Sequence, residues 1–273
     1  MISYPNAKIN LGLHIMGKRN DGYHDVEGVL YPLILSDVLE VIEFAGASGD
    51  SFTTSGLQIP CREEDNLCIR ALHLLRADFS FPPTAIHLHK IIPSGAGLGG
   101  GSSDAIFLLK SVISLFELPV SRKSMMLYAS KLGSDCSFFI DNTPAAVSGR
   151  GDELFPLDIN LKGYHCAVVH PAVFISTANA YASVSCREDN NTMLANIIAS
   201  TPIEEWRGRI SNDFEKYAIS RDARIGEIID SLYGAGALFA SLSGSGSASF
   251  GIFDKEPDLS GLFDNCFVWT GGL

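Results

Sequence analysis

A chain of 273 residues, 46% of them hydrophobic, has enough apolar surface for one large core or two modest ones, which excludes a disordered polypeptide. Lys+Arg 20 against Asp+Glu 31 gives a formal net charge of −11, and no basic run breaks the acidic background, which excludes non-specific nucleic-acid binding. The uncharged window from Ser231 to Phe253 is interrupted by Ser243-Gly244-Ser245-Gly246-Ser247 and cannot form a lipid-facing helix.

Lys8 stands where a secretory leader would need its apolar region, so the expectation is a cytoplasmic protein, away from membranes. Cys61, Cys68, Cys136, Cys166, Cys186 and Cys266 form no C-x-x-C pair. They offer no zinc spacing and read as reduced, mostly buried thiols.

Periods of 2 and 3.6 alternate along the chain, which predicts an α+β or α/β class. Strands are expected over Ala7 to Met16, Val26 to Leu35 and Val38 to Phe44, with a turn at Lys18-Arg19-Asn20-Asp21-Gly22. Asn66 reads as the N-cap of a helix over Leu67 to Phe79, and Thr84 to Ile92 as a half-buried strand with His87 and His89 on its polar face. The next helices are expected over Asp104 to Phe116 and Ser121 to Leu132, the second stopping at Gly133. Pro156 to Lys162 loosens into polar and turn residues, where a lobe boundary is expected. This divides the chain into 1–156 and 157–273. Beyond it come a short helix over Thr177 to Val184 and a capping box at Thr201-Pro202-Ile203-Glu204. The strands Ala237 to Leu242 and Ala248 to Phe253 flank the second glycine-serine loop.

The chemistry concentrates in Pro93-Ser94-Gly95-Ala96-Gly97-Leu98-Gly99-Gly100-Gly101-Ser102-Ser103, between a strand and a helix. Glycine there lets backbone N–H groups approach an anion at a helix N-terminus with no Cβ in the way. A plain turn does not need so many glycines, each costing up to about 1 kcal/mol of backbone entropy relative to Ala. Gly95, Gly97 and Gly100 satisfy the dinucleotide pattern G-x-G-x-x-G. The preceding strand, however, carries histidines on one face, and the region after Glu117 does not supply a second strand ending in an acid. No Lys follows the glycines as a Walker loop requires, and no G-x-S-x-G elbow is present. His87 and His89 lack a third ligand at useful spacing and read as a half-exposed strand face.

Pro93-x-x-x-Gly97-Leu98-Gly99-Gly100-Gly101-Ser102-Ser103 resembles the phosphate loop of the GHMP kinases, the family of galactokinase, homoserine kinase and mevalonate kinase. Ala7-Lys8-Ile9-Asn10-Leu11, Lys18-Arg19-x-Asp21-Gly22-Tyr23-His24, Glu64-Asp65-Asn66-Leu67 and Leu132-Gly133-Ser134-Asp135 are similar to the branch whose small-molecule substrate carries a cytidine diphosphate group. The resemblance implies a two-lobed α+β fold with the active site in the cleft between lobes. It implies ATP and Mg²⁺ as cofactors, with Asp135 as catalytic base and Lys8 as the cation that helps it. Pro93, Ser94, Gly95, Ala96, Gly97, Leu98, Gly99, Gly100, Gly101, Ser102 and Ser103 are then nucleotide-binding, joined by Asn66 and Lys90. Tyr23 and Tyr181 resemble an aromatic pair around the cytosine, His24 a reader of the base edge, and Asn10 and Thr177 polar contacts to the rest of the substrate. Ser102, Ser103 and Asp104 are the open candidates for a metal oxygen donor. Taken alone, Lys8 reads as a solvated edge charge, Asp135 as a turn residue, Tyr181 as core and Lys90 as surface charge. A kinase for a different small alcohol and a non-catalytic sensing relative are the competing readings.

Overall fold

The computed structural model describes residues 1–187 and 193–273. In chain order the strands of the first half are β1 (Ile2–Ser3), β2 (Asn6–Lys18), β3 (His24–Ser36), β4 (Val38–Glu43), β5 (Ser51–Gly56) and β6 (Thr84–Lys90). The helices α1 (Leu67–Asp78), α2 (Gly100–Leu115), α3 (Arg122–Leu132) and α4 (Phe138–Asp141) follow or flank them. The second half adds β7 (Ala145–Ser148), β8 (Glu153–Pro156), β9 (His165–His170), α5 (Thr177–Ser183), α6 (Leu194–Ser200), α7 (Glu215–Arg221) and α8 (Arg224–Gly234). It closes with β10 (Phe239–Leu242), β11 (Ser249–Phe253) and β12 (Phe267–Gly272).

The chain packs as two compact units. The first comprises Met1–Ala7, Leu35–Ser94 and Gly99–Asn142; the second comprises Lys8–Ile34, Gly95–Leu98 and Thr143–Leu273. The contiguous division expected at residue 156 cuts across the second unit. The reason is long-range strand pairing: Gly28, Val29 and Leu30 of β3 pair with Val147, Ala146 and Ala145 of β7, and this pulls the early hairpin into the later part of the chain.

In the first unit the sheet runs β1-β4-β6-β5. β4 is antiparallel to β6 from Val38↔His89 to Glu43↔Thr84, and β5 is parallel to it from Ser51↔Ala85 to Gly56↔Lys90. Mixed pairing of this kind is not the doubly wound sheet of a dinucleotide fold. Strand alternation buries Leu39, Val41, Ile86 and Leu88, and α2 covers β4 while α1 packs on α2. Ala105, Leu108, Leu109 and Val112 of α2 recur at helical spacing and are fully buried, each of the larger ones worth roughly 1.5–3 kcal/mol relative to an exposed position. On the opposite face His87 hydrogen-bonds the hydroxyls of Thr53 (2.8 Å) and Ser55 (2.8 Å), and His89 bonds Ser55 (2.9 Å). That is a polar strand face, as the alternation predicts.

In the second unit, one sheet runs β2-β3-β7-β8 and another β10-β11-β9-β12. β9 lies between β11 and β12, antiparallel to both. The apolar cluster here joins Leu13 and Ile15 of β2 to Phe214, Leu242 and Phe253. It also takes in Ile225, Ile228, Ile229 and Leu232 of α8, an i, i+3, i+4, i+7 stripe.

Three local expectations change. Helix α2 begins at Gly100, inside the glycine run, with Gly99 as a left-handed N-cap (φ 71°), so the glycines and serines themselves form the first turn. At Thr201–Glu204 there is no capping box: Ile203–Glu205 is a single 3₁₀ turn with no side-chain cap bond, and the Trp206 indole N–H instead holds the Thr201 carbonyl (2.9 Å). Of the six cysteines, Cys68, Cys136 and Cys166 are buried, but Cys61 and Cys186 are exposed and Cys266 half-buried. Among the described residues no helix is long and apolar enough to cross a membrane.

Candidate active site

Gly95–Leu98 belong to the second unit, and their backbone is held against the second glycine-serine loop. Gly97 has φ 81°, and a Cβ there would lie 2.0 Å from the Ser243 carbonyl oxygen, so only glycine fits by both conformation and space. Ser243 Oγ donates to the Gly97 carbonyl (2.9 Å), and the Ala248 N–H donates to the Ala96 carbonyl (3.0 Å). Asn212 fixes the second loop from behind, donating to the carbonyls of Leu242 (2.9 Å) and Gly244 (2.8 Å). Neither Ser243 nor Asn212 is singled out by sequence reasoning. The repeated Ser-Gly steps mark the loop, but the long-range contact that makes Ser243 and Asn212 matter leaves no local signal.

Strand β2 carries Lys8 and Asn10 into the same assembly, and period-two alternation puts both on one face. Lys8 is 2% exposed, which removes the solvated-edge reading. Its backbone N–H donates to the Leu98 carbonyl (2.9 Å) and its Nζ to Asn10 Oδ1 (2.6 Å). The Asn10 N–H in turn donates to Ser243 Oγ (3.3 Å). Thr177, at the start of α5, shares a hydroxyl hydrogen bond with Ser245 (2.8 Å). The second unit thus brings Lys8, Asn10, Gly95–Leu98 and Thr177 into one hydrogen-bonded neighbourhood.

The aromatic residues lie in the same unit. At the β2–β3 hairpin the Arg19 N–H donates to the Tyr23 carbonyl (2.8 Å), and Gly22 (φ 86°) makes the turn. Tyr23 is exposed, with the Arg150 guanidinium 5.0 Å from its ring centre. His24 stacks on Tyr181 (centroids 5.1 Å apart, 25° between planes), and Tyr181 meets Phe214 edge-on (4.8 Å, 80°). Tyr181 is therefore partly core, packed against the apolar cluster, and it also stacks on the histidine expected to read the base.

The first unit supplies the rest of the loop and the helix it opens. Pro93 is buried, Ser94 half-buried and Gly101 exposed. The Ser103 N–H closes the first turn on the Gly99 carbonyl (2.9 Å). Asn66 caps α1, its Oδ1 accepting from the Cys68 N–H (2.9 Å). Asp135 lies half-buried in the 3₁₀ turn Ser134–Ser137 directly after Gly133. Its neighbour Cys136 hydrogen-bonds with Ser102, and burial pushes that thiol up to about 11. Ser102 of the loop and the Asp135 turn are therefore adjacent.

Lys90 is neither a surface charge nor open to solvent. It is 3% exposed and its ammonium donates to Asp104 Oδ2 (2.7 Å) and to Asp37 Oδ2. Burial works against the charge on Lys90, but Asp104 and Asp37 together hold its pKa above the ordinary lysine value. Asp104 is pushed up to about 8, chiefly by burial, with Lys90 pulling the other way. Ser103 Oγ and Asp104 Oδ1 are buried without a hydrogen-bond partner among the described residues. Among the described residues no three His, Cys, Asp or Glu side chains cluster as metal ligands.

A model of the N-terminal domain of GHMP kinases matches residues 66–150, and a model of the GHMP kinase C-terminal region matches residues 198–265. The chain belongs to the GHMP kinase family, and it is a small-molecule kinase with the α+β fold of that family. It is 44% identical to the 4-diphosphocytidyl-2-C-methyl-D-erythritol kinase of Parabacteroides distasonis, with 100% of each chain covered. It is 45% identical to the enzyme of that name from Porphyromonas gingivalis, with 98% of each covered. A crystal structure of 4-(cytidine 5′-diphospho)-2C-methyl-D-erythritol kinase superposes with a TM-score of 0.74 at 30% identity, covering 92% of this chain and 90% of the other. The mevalonate kinase of Methanococcus jannaschii shares the fold at 15% identity with a TM-score of 0.66.

Proposed function

We propose that this chain transfers the γ-phosphoryl group of ATP to the 2-hydroxyl of 4-(cytidine 5′-diphospho)-2-C-methyl-D-erythritol. The products are the 2-phosphate and ADP, and the step belongs to non-mevalonate isoprenoid biosynthesis in the cytoplasm. The observation that carries the reading is the tie between a buried lysine and the glycine loop: Lys8 holds Leu98 through its backbone and Asn10 through its ammonium. A fixed cation beside a glycine loop that opens a helix is what a phosphoryl group needs as its charge redistributes.

Asp135 takes the proton of the attacking hydroxyl, and Lys8 stabilises the negative charge that results. Gly95 to Ser103 receive the phosphates through backbone N–H groups, and Asn66 contributes at the nucleotide end while capping α1. Mg²⁺ accompanies ATP and neutralises its phosphates. Tyr23 and Tyr181 flank the cytosine ring, His24 reads its edge, and Asn10 and Thr177 hold the erythritol and diphosphate portions. Stacking surfaces with a histidine beside them favour this substrate over homoserine or mevalonate, which carry no base. The retained lysine and aspartate favour catalysis over a purely sensing role.

An ATP-consumption assay on the purified protein tests the reading. The cytidyl compound should be turned over, while free methylerythritol 4-phosphate should not. Comparable turnover of the two would remove the base-recognition role of Tyr23, His24 and Tyr181.

A further inference from the structure

Both stems of the glycine loop rest on one buried ionic cluster in the first unit. Lys90 is the last residue of β6 and Asp104 the fifth of α2. Asp37, between β3 and β4, joins them from a third direction. Exposures are 3%, 2% and 0%. While Asp37 Oδ2 accepts from Lys90, its Oδ1 accepts the backbone N–H groups of Ile91 (2.5 Å) and Ile92 (2.9 Å), the two residues that lead into Pro93. Gly100 is drawn in as well: a Cβ there would lie 2.9 Å from Ile92 Cγ2 and 3.4 Å from Lys90 Nζ. The strand-side stem is therefore pinned by Asp37, the helix-side stem by Asp104, and Lys90 joins the two pins.

We infer that Lys90, Asp37 and Asp104 are positioning residues that set the conformation of the phosphate loop, and that the Lys90 ammonium acts through the two carboxylates, not on the nucleotide. The inference rests on the reading of this loop as the ATP phosphate site. It follows from charge balance. Above about pH 8, where Asp104 is ionised, one cation faces two carboxylates in a dry interior, so losing the cation leaves buried negative charge uncompensated on both stems. Losing one carboxylate along with the cation returns the cluster to its original net charge, a single negative one on Asp37 that two backbone amides still stabilise.

The two roles of Lys90 give opposite results in a rescue experiment at about pH 9, where Asp104 is ionised, that measures ATP binding by titration calorimetry and folding by thermal unfolding. Lys90→Met should weaken ATP binding about tenfold or more and lower the unfolding midpoint by about 10 °C. The pair Lys90→Met with Asp104→Asn should recover most of both. A pair that folds yet binds ATP as poorly as Lys90→Met overturns the inference, because a direct phosphate contact cannot be rescued by removing an acid. A pair that does not fold overturns it too, since charge balance would then not be the role of Lys90. If Lys90→Met alone does not fold, recovery of folding and of ATP binding in the pair supports the inference equally. Absence of ATP binding by the wild-type protein would instead count against the reading of the site as a kinase.

Discussion

Asp135 and Lys8 differ in what the structure says of each. Lys8 is buried and fixed by Asn10, an arrangement that a merely solvated lysine would not have, whereas Asp135 sits half-buried in a short turn beside the residue that Ser102 holds. If Asp135 accepts the hydroxyl proton, Asp135→Asn keeps the size of the side chain and removes the acceptor. Steady-state kinetics should then show kcat falling by about 10²- to 10⁴-fold with KM little changed. Lys8→Met should also lower kcat, and the double variant should be far less than multiplicatively worse, since both act on one step. A kcat for Asp135→Asn above about a tenth of wild type would leave Asp135 only a positioning role. At this scale the sequence was legible through motif resemblance, which pointed to Lys8 and Asp135 together. It could not show that Lys90 is sequestered, because Asp37 lies 53 residues away along the chain.

The two glycine-serine loops work as a single element, and the tightest evidence is at Gly97. A methyl group there would meet a backbone carbonyl at 2.0 Å, and neither partner is a flexible side-chain end. By contrast, a Cβ at Gly101 meets only Leu67 Cδ1 at 3.7 Å, an ordinary contact, and the backbone there is helical. Gly97→Ala should therefore weaken ATP binding and lower the unfolding midpoint together, while Gly101→Ala should leave the midpoint within about 2 °C, in line with ordinary exposed helix substitutions. Titration calorimetry beside thermal melts separates the cases, and an unshifted midpoint for Gly97→Ala would show that the loops do not depend on each other. Sequence patterning placed the strand before the loop and the helix after it. It started α2 late because glycine and serine are poor helix formers in an interior, and a helix N-terminus that serves as an anion cradle is composed of the residues propensity argues against.

Across the whole molecule, alternation and turn chemistry made most elements readable, including the β2–β3 hairpin, α1 with its Asn66 cap and the strands around the second loop. The two-unit organisation was not readable, because it depends on β3 finding β7 across more than a hundred intervening residues, and pairing partners leave no mark on a strand's own pattern. Stability as a function of pH also reports at this scale, through two buried groups with opposite signs. His14 is lowered to about 4, chiefly by burial and then by Arg187. The unfolded chain therefore binds more protons between about pH 4 and 6.5, and this contribution strengthens as pH rises through that window. Asp104 is raised from 3.8 to about 8, so there the folded state binds more protons, and its contribution is present below pH 3.8 and lost as pH rises towards 8. Other carboxylates titrate at the acid end as well, so the clean observable is a difference between variants. Asp104→Asn cannot ionise and keeps the side-chain size. Its stability relative to wild type should therefore climb steadily from pH 5 to 8 in urea denaturation and level off above. The groups that face Asp104 are Asp37, Lys90 and Cys68, and Cys68 is itself held protonated by burial, so the slope belongs to the acids and their lysine. A relative stability that stays flat or falls with pH would mean that Asp104 is already ionised and paired with Lys90 at pH 5.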